Sequence, residues 1–141
     1  MKNHIKTAFL LAFIILSCNH NEKITPKYTI RNTSNDVENF DQFNIRFHTD
    51  SIFQLSRITF PIGGKSIDGF VKKEWTLNNW EMRRSPVVEN PQMKGYDHSL
   101  VKSNTFVIEK YWIKNGSFSS ETRFKRIQNK WFLIYYNNVN L

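Results

Sequence analysis

The sequence predicts an α+β domain in which N-terminal helices pack on one face of a curved antiparallel sheet. Two observations carry this prediction. Phenylalanines recur at helical spacing early in the chain, and the last third alternates apolar and polar residues around two turn signals. The 141 residues suffice for one such domain, and the aromatic content of 15% supplies a dense core.

The chain begins with a segment typical of an export signal. "MKNHIKTAFLLAFIILSC" has a basic start, an apolar run over residues 8–16 that is too short to span a bilayer, then Ser17 and Cys18. The tail "ILSC" resembles the lipobox of bacterial lipoproteins, whose cysteine takes a diacylglyceryl group as the signal is cleaved before it. The resemblance implies lipidation of Cys18 and a stable anchor of two or more acyl chains. An ordinary signal peptide or N-terminal anchor with an incidental cysteine is the alternative.

This start predicts the domain organisation and the location. Residues 1–17 are the lipoprotein signal peptide, residues 18–35 are the lipidated cysteine and a polar flexible tether, and residues 36–141 are the single α+β domain. We expect the protein in the bacterial cell envelope, anchored by lipid to a membrane and facing the periplasm or the cell surface. A single cysteine excludes an intrachain disulfide framework.

The chain is basic. Loss of Lys2 and Lys6 with the signal lowers the formal net charge from +8 to +6, a balance that favours anionic surfaces such as lipid head groups. The basic residues are scattered, and no motif that reads nucleic acid accompanies them. The predicted partner is therefore a membrane, through Cys18, and not a nucleic acid.

Two helices are predicted at the start of the domain. Asn35 is placed to cap the first, with Glu38 three residues later, and a stripe of Phe40, Phe43 and Phe47 is expected in the core. Thr49 or Asp50 restarts a second helix over "DSIFQLSR". His48 falls at the junction, where a capping or surface role is expected.

A strand is predicted over residues 57–62, with Pro61 placing it at an edge or an end. The following "GGKS" does not complete a phosphate-binding loop, because Thr59 stands where that motif requires glycine and no long helix follows. No nucleotide binding is predicted. Gly63 and Gly64 are expected to form a hairpin turn.

The next stretch is irregular. Thr76 is placed to cap one helical turn carrying Leu77 and Trp80, and residues 85–99 contain two prolines and a glycine, which favour a loop. That loop would include the adjacent acid–histidine pair at positions 97 and 98.

Three antiparallel strands are predicted at the end of the chain. A turn at Asn115-Gly116 and another at Gln128-Asn129 set their register. The predicted pairs are Ile113–Phe118, Tyr111–Ser120, Lys110–Glu121, Val107–Phe124, Arg126–Trp131, Phe124–Leu133 and Thr122–Tyr135. The buried face then carries Val107, Tyr111, Ile113, Phe118, Phe124, Leu133 and Tyr135. The other face carries Phe106, Ile108, Trp112, Phe132, Ile134 and Tyr136, among Glu121, Arg123 and Lys125.

The order of these elements resembles the nuclear transport factor 2-like superfamily, a cone-shaped α+β fold. The resemblance rests on "FDQFNIRFHTDSIFQLSRITFP" and on the closing "NKWFLIYY". Within that group, "FQLSRI.FP" and "KKEWT...W" resemble the bacterial lipoproteins of domain-of-unknown-function family 4348. The resemblance implies no assigned activity. The wider superfamily has a small-molecule pocket or an enzyme site in its cone, and the enzymes place an Asp or an Asp/His pair there, which cannot be mapped onto this chain.

Few residues are candidates for chemistry. Asp97 and His98 would point to opposite faces of a strand, and ordinary loop polarity explains them. His48, His98 and scattered carboxylates lack metal-ligand spacing, so no catalytic residue, metal or cofactor is predicted. Three tryptophans are candidates for a pocket that binds a sugar or another apolar-faced ligand, with core filling as the alternative: Trp75, Trp80 and Trp112.

The predicted function is a lipid-anchored, non-catalytic module that binds a ligand or a protein. The alternative is an envelope enzyme with its active site inside the cone pocket. A buried carboxylate in the cone would favour the enzyme. The six apolar residues on the second sheet face are expected to contact a second copy or another envelope protein, unless the loop over residues 85–99 covers them.

Overall fold

The computed structural model describes residues 36–141, and the predictions for Cys18, the signal segment and the tether lie outside this range. The described residues form two helices, a 3₁₀ turn and seven strands, which confirms the α+β class. Their bounds are α1 Phe40–Thr49, α2 Ser51–Ser56, β1 Ile58–Gly63, β2 Lys65–Asp68, β3 Val71–Glu74, the 3₁₀ turn Leu77–Asn79, β4 Asp97–Lys102, β5 Phe106–Trp112, β6 Phe118–Ile127 and β7 Lys130–Asn140. Within residues 36–141 no helix has the length and apolar character needed to cross a membrane.

The first helix begins later than predicted. The helix is capped by Asn39, whose side-chain oxygen accepts hydrogen bonds from the amides of Asp41 and Gln42, at 2.9 and 3.1 Å; the predicted cap, Asn35, lies outside the described residues. Glu38 is not part of this cap, because its carboxylate accepts from the Arg57 guanidinium at 2.9 Å and from the Trp131 amide at 2.7 Å. It therefore joins the entrance of α1 to the residue between α2 and β1 and to β7.

The second helix begins as the sequence predicts. The Asp50 carboxylate accepts a hydrogen bond from the Phe53 amide at 2.9 Å, which caps α2. Phe53 is buried, whereas Ile52 is exposed.

The core lies between α1 and the sheet. Phe40, Phe43 and Phe47 are all buried, and the ring of Phe124 on β6 lies 5.3 to 5.7 Å from each of their rings, edge-on. Phe40 also packs edge-on against Trp131 at 5.0 Å. The phenylalanine stripe thus contacts the sheet face that the sequence assigns to the core.

The sheet is mixed and not antiparallel throughout. Its strands run in the order β3-β2-β7-β6-β5-β4, and β1 also pairs with β7. Strands β5 to β7 form the predicted antiparallel meander, and β4 extends it by a strand that was not predicted. In contrast, β1 and β2 both run parallel to β7. The long intervening chain lets the first and last strands lie side by side in the same direction.

Gly63, the last residue of β1, and Gly64 do not form the predicted hairpin turn. The chain continues from β1 into β2 in the same direction, and both strands pair with β7. Gly64 lies at the junction and has a φ of +89°. A β-carbon on Gly64 would lie 2.2 Å from the carbonyl oxygen of Tyr136, so only glycine fits there. The hairpin turn follows β2 instead, where Asp68 pairs with Val71 and Gly69 has a φ of +56°.

The register of the meander follows the two predicted turns up to one bulge. The pairs Val107–Phe124, Tyr111–Ser120, Lys110–Glu121, Arg126–Trp131 and Phe124–Leu133 are confirmed. Arg123 then pairs with Tyr135, which leaves Ile134 as an extra residue, and Thr122 pairs with Tyr136 instead of Tyr135. Because a bulge reverses the alternation of side chains, Tyr136 moves to the helix face and Tyr135 to the other face.

The predicted loop over residues 85–99 ends earlier than expected. Asp97 and His98 belong to β4, in which His98 pairs with Tyr111 of β5. The edge of β5 supplies the hydrogen-bonding partner that makes this polar stretch a strand. Thr76 precedes the 3₁₀ turn, and its amide donates to the Asn79 side chain at 2.7 Å.

Candidate functional site

A cleft of about 360 Å³ lies on the helix face of the sheet. Side chains of β5, β6 and β7 form its floor, and the irregular residues 81–86 form one wall. The floor includes Glu109, Tyr111, Ser120, Tyr136 and Asn138. This volume is in the range of small-molecule sites.

An aromatic wall closes one side of the cleft. Trp75 is buried and stacks on Tyr136, with the ring centroids 5.1 Å apart, and its indole N–H donates to the Tyr136 carbonyl at 2.7 Å. Trp80 packs edge-on against both rings, at 5.5 and 5.9 Å. Because β5 alternates its side chains, Trp112 lies on the opposite face of the sheet from Tyr111 and does not meet the other two tryptophans.

A buried carboxylate lies at the floor of the cleft. Glu109 is 3% exposed, and its Oε1 accepts a hydrogen bond from the Tyr111 hydroxyl at 3.0 Å and lies 3.3 Å from Nε2 of His98. Burial and the neighbouring charge of Glu109 raise the pKa of Tyr111, so its phenol keeps its proton and donates. His98 therefore pairs with Glu109, whereas the adjacent Asp97 is exposed.

Two buried amides hold the irregular wall in place. Gln54 of α2 accepts from the Arg83 amide at 3.0 Å and donates to the Arg83 carbonyl at 2.9 Å. Asn44 of α1 makes the same two bonds with Val87, at 3.0 and 2.8 Å. The backbone of this segment thus finds on the helices the partners that a strand would supply.

Two arginines line the wall, the exposed Arg84 and the half-buried Arg83, and of these Arg83 contacts the aromatic wall. Its guanidinium carbon lies 4.1 Å from the centre of the Tyr136 ring, a cation–π contact. Its Nε is buried without a hydrogen-bond partner, and no carboxylate within residues 36–141 forms an ion pair with it. A positive group with an unmet donor therefore lies against the aromatic wall.

His48 is buried, not a capping or surface residue. It is 2% exposed and packs against Phe47 and Phe124, with Nδ1 2.8 Å from the Asn44 carbonyl and Nε2 without a partner. Burial lowers its pKa to about 4, with a smaller contribution from the positive charge of Arg83 and an opposing one from the Asn44 hydrogen bond. The imidazole is neutral at pH 7, and Nδ1 carries the proton that it donates to Asn44.

Sequence reasoning missed the polar residues of the cleft. A signal for Glu109 was present, because it alternates with Val107 and Tyr111 on the face assigned to the core, where a carboxylate is unusual. Nothing comparable pointed to Arg83 or Gln54, whose positions depend on side-chain contacts between distant segments. In the described part of the chain, no cluster of three or more His, Cys, Asp or Glu side chains is placed to hold a metal ion.

Comparisons with known proteins identify the fold. No family model matches the chain, and no curated protein matches it either. The crystal structure of a nuclear transport factor 2-like protein from Bacteroides fragilis matches with 20% sequence identity and a TM-score of 0.51. The match covers 75% of this chain and 49% of that one, so this chain spans about half the length of that neighbour. The described residues therefore have a nuclear transport factor 2-like fold.

Proposed function

We propose that this protein is a lipid-anchored, non-catalytic module of the bacterial cell envelope that binds a small organic molecule in the cleft. The observation that carries the proposal is the cleft of about 360 Å³ with an aromatic wall. Small-molecule sites combine an apolar lining with a few placed polar groups, and this cleft sets Trp75 and Tyr136 beside Arg83 and Glu109.

The location in the envelope rests on the N-terminal sequence. The apolar run ending in "ILSC" and the resemblance to the lipoproteins of domain-of-unknown-function family 4348 support an anchor on Cys18. The polar residues 18–35 would then tether the domain to the membrane and leave the cleft accessible from solvent.

Binding is tested by filling the cleft. Ser120 lies on its floor, and the neighbouring Ser119 points to the opposite sheet face, so a tryptophan at each position is a matched pair. We expect calorimetry with 1-naphthaleneacetamide and the full chain in detergent to give a Kd of about 10 μM to 1 mM. Ser120→Trp should weaken this binding at least about tenfold, whereas Ser119→Trp should not. Equal binding by both variants would place the ligand outside the cleft.

One observation favours the second candidate, an envelope enzyme. Glu109 is buried beside the cleft and contacts both His98 and Tyr111, an arrangement that suits proton transfer. The test is to incubate the protein with a metabolite mixture and to search by mass spectrometry for altered compounds. A product formed by the wild type and absent with Glu109→Gln would establish the enzyme. Recovery of unaltered ligand from both would favour the binding module.

A further inference from the structure

We propose that Arg83 binds the anionic group of the ligand, and that the ligand is a small organic anion with a flat apolar body. This inference rests on the proposed binding function and adds the chemical class of the ligand. It follows from the unmatched cation against the aromatic wall of the cleft.

Arg83 differs from the arginines that have structural partners. Arg46, Arg57 and Arg123 each have a carboxylate within 3.5 Å, from Asp50, Glu38 and Glu121 respectively. Within residues 36–141, Arg83 has no carboxylate partner, and its Nε is buried without an acceptor. Arg83 also lines the cleft, so an anionic ligand bound there can supply the missing charge partner.

The carboxylates of the cleft leave the charge of Arg83 unmatched. Glu109 is held by the Tyr111 hydroxyl and contacts His98, and Glu81 lies exposed at the rim. The positive charge of Arg83 acts on Tyr111, whose pKa it lowers against the larger effects of burial and Glu109. The electrostatic potential of Arg83 therefore extends to the cleft floor, where a ligand would bind.

The guanidinium is also held in position before a ligand binds. Gln54 fixes the backbone of Arg83 through two hydrogen bonds, and the Tyr136 ring supports the side chain at 4.1 Å. A planar fork of donors at a fixed site suits a carboxylate, which it can bind through two parallel hydrogen bonds. An apolar ring attached to that carboxylate would pack on Tyr136, Phe118 and Met93, which line the same cleft.

The test compares two ligands that differ by one charge. Calorimetry with the full chain in detergent measures 1-naphthaleneacetate and its neutral amide, 1-naphthaleneacetamide. We expect the acid to bind about tenfold more tightly, the gain typical of a hydrogen bond to a charged group. Arg83→Gln should remove the preference, because the Gln54 bonds to the backbone of residue 83 remain. Lys125→Met removes one positive charge from an exposed site on the other sheet face and should leave the preference unchanged.

The outcomes separate this inference from the binding function. If the acid and the amide bind equally to the wild type, or if Arg83→Gln keeps the preference, the role of Arg83 is refuted while the cleft remains a binding site. Tighter binding of 2-(1-naphthyl)ethylamine than of the acid would also refute it and assign recognition to Glu109. Failure of all three compounds to bind would refute both proposals. The wild-type comparison stands even if Arg83→Gln does not fold.

Discussion

Buried polar side chains determine the shape of the cleft. Gln54 is 1% exposed, and its amide donates to the carbonyls of Phe47 and Arg83 and accepts from the Trp80 indole and the Arg83 amide. A buried amide with its donors and acceptors matched stabilises one arrangement of its neighbours, because any other leaves a polar group unpaired. Gln54 thus fixes the backbone of Arg83, the residue that makes the proposed ligand contact.

His48 should make stability depend on pH. Its pKa is about 4 in the folded protein and 6.5 ordinarily, so between these values the unfolded chain binds the proton more readily. The stabilisation is fully present above pH 6.5 and is lost as pH falls from 6.5 to about 4. We expect the protonation of His48 to lower the free energy of unfolding, measured in urea, by about 2 kcal/mol between pH 7 and pH 5.

The matched variants for this prediction are His48→Gln and His20→Gln. His48→Gln should reduce the fall in the free energy of unfolding between pH 7 and pH 5 by about 2 kcal/mol, because glutamine does not titrate. The second changes a histidine of the predicted tether and should leave the slope as in the wild type. Equal slopes in all three proteins would mean that His48 is not the titrating group.

At the scale of elements, residue spacing and turn residues predicted the features that depend only on neighbouring residues in the chain. The phenylalanine stripe predicted the buried face of α1, and Asn115 with a φ of 57° forms the predicted turn between β5 and β6. The bulge at Ile134 was not predictable, because it depends on how β7 pairs with both β6 and β1. One extra residue there places Tyr136 in the cleft, so the sequence indicated Trp75 and Trp80 as pocket residues but not the tyrosine on which they pack.

Gly64 should tolerate substitution poorly. An alanine there would place its β-carbon 2.2 Å from the Tyr136 carbonyl oxygen in a conformation with φ of +89°. We expect Gly64→Ala to lower the free energy of unfolding by at least about 2 kcal/mol. Gly69 also has a positive φ but has open space around it, so Gly69→Ala should cost only about 1 kcal/mol. Equal losses would show that the contact with β7 is not what requires glycine.

At the scale of the whole molecule, the sequence predicted the fold class better than the site. The order of elements and the two turns were enough for an α+β domain with a C-terminal meander. The cleft needed contacts that no spacing reveals, such as Asn44 with Val87 and Arg83 with Tyr136. Such contacts join segments 43 or more positions apart, and their partners are chosen by packing instead of periodicity.

The lipid anchor is tested at Cys18. The cysteine follows the apolar run and the small Ser17, as lipoprotein processing requires. In bacteria grown with labelled fatty acid, Cys18→Ala should carry no label and retain residues 1–17, because no thiol accepts the lipid. Ser17→Ala keeps a small residue before the cysteine and should be labelled normally. Normal labelling of Cys18→Ala would refute the anchor.

The sheet face opposite the helices carries the predicted interface. The bulge removes Tyr136 from the six proposed residues, and five remain on this face: Phe106, Ile108, Trp112, Phe132 and Ile134. Phe106 and Ile134 are 40% and 39% exposed. Contacts of Asn44 and Gln54 hold residues 83–87 on the helix face, so this segment does not cover the five.

We predict that this face contacts a second copy of the chain. Glu121 bridges Lys110 and Arg123 beside the apolar residues, and an apolar surface bordered by charged side chains is typical of an interface between copies of a chain. Sedimentation of residues 36–141 should then give a dimer, and Trp112→Glu should shift it to the monomer by burying an unpaired charge in the interface. Ile45→Glu makes a similar change on the exposed side of α1, where 61% of the residue is accessible, and should leave the dimer intact. A monomeric wild type, or dissociation by both variants alike, would refute the interface.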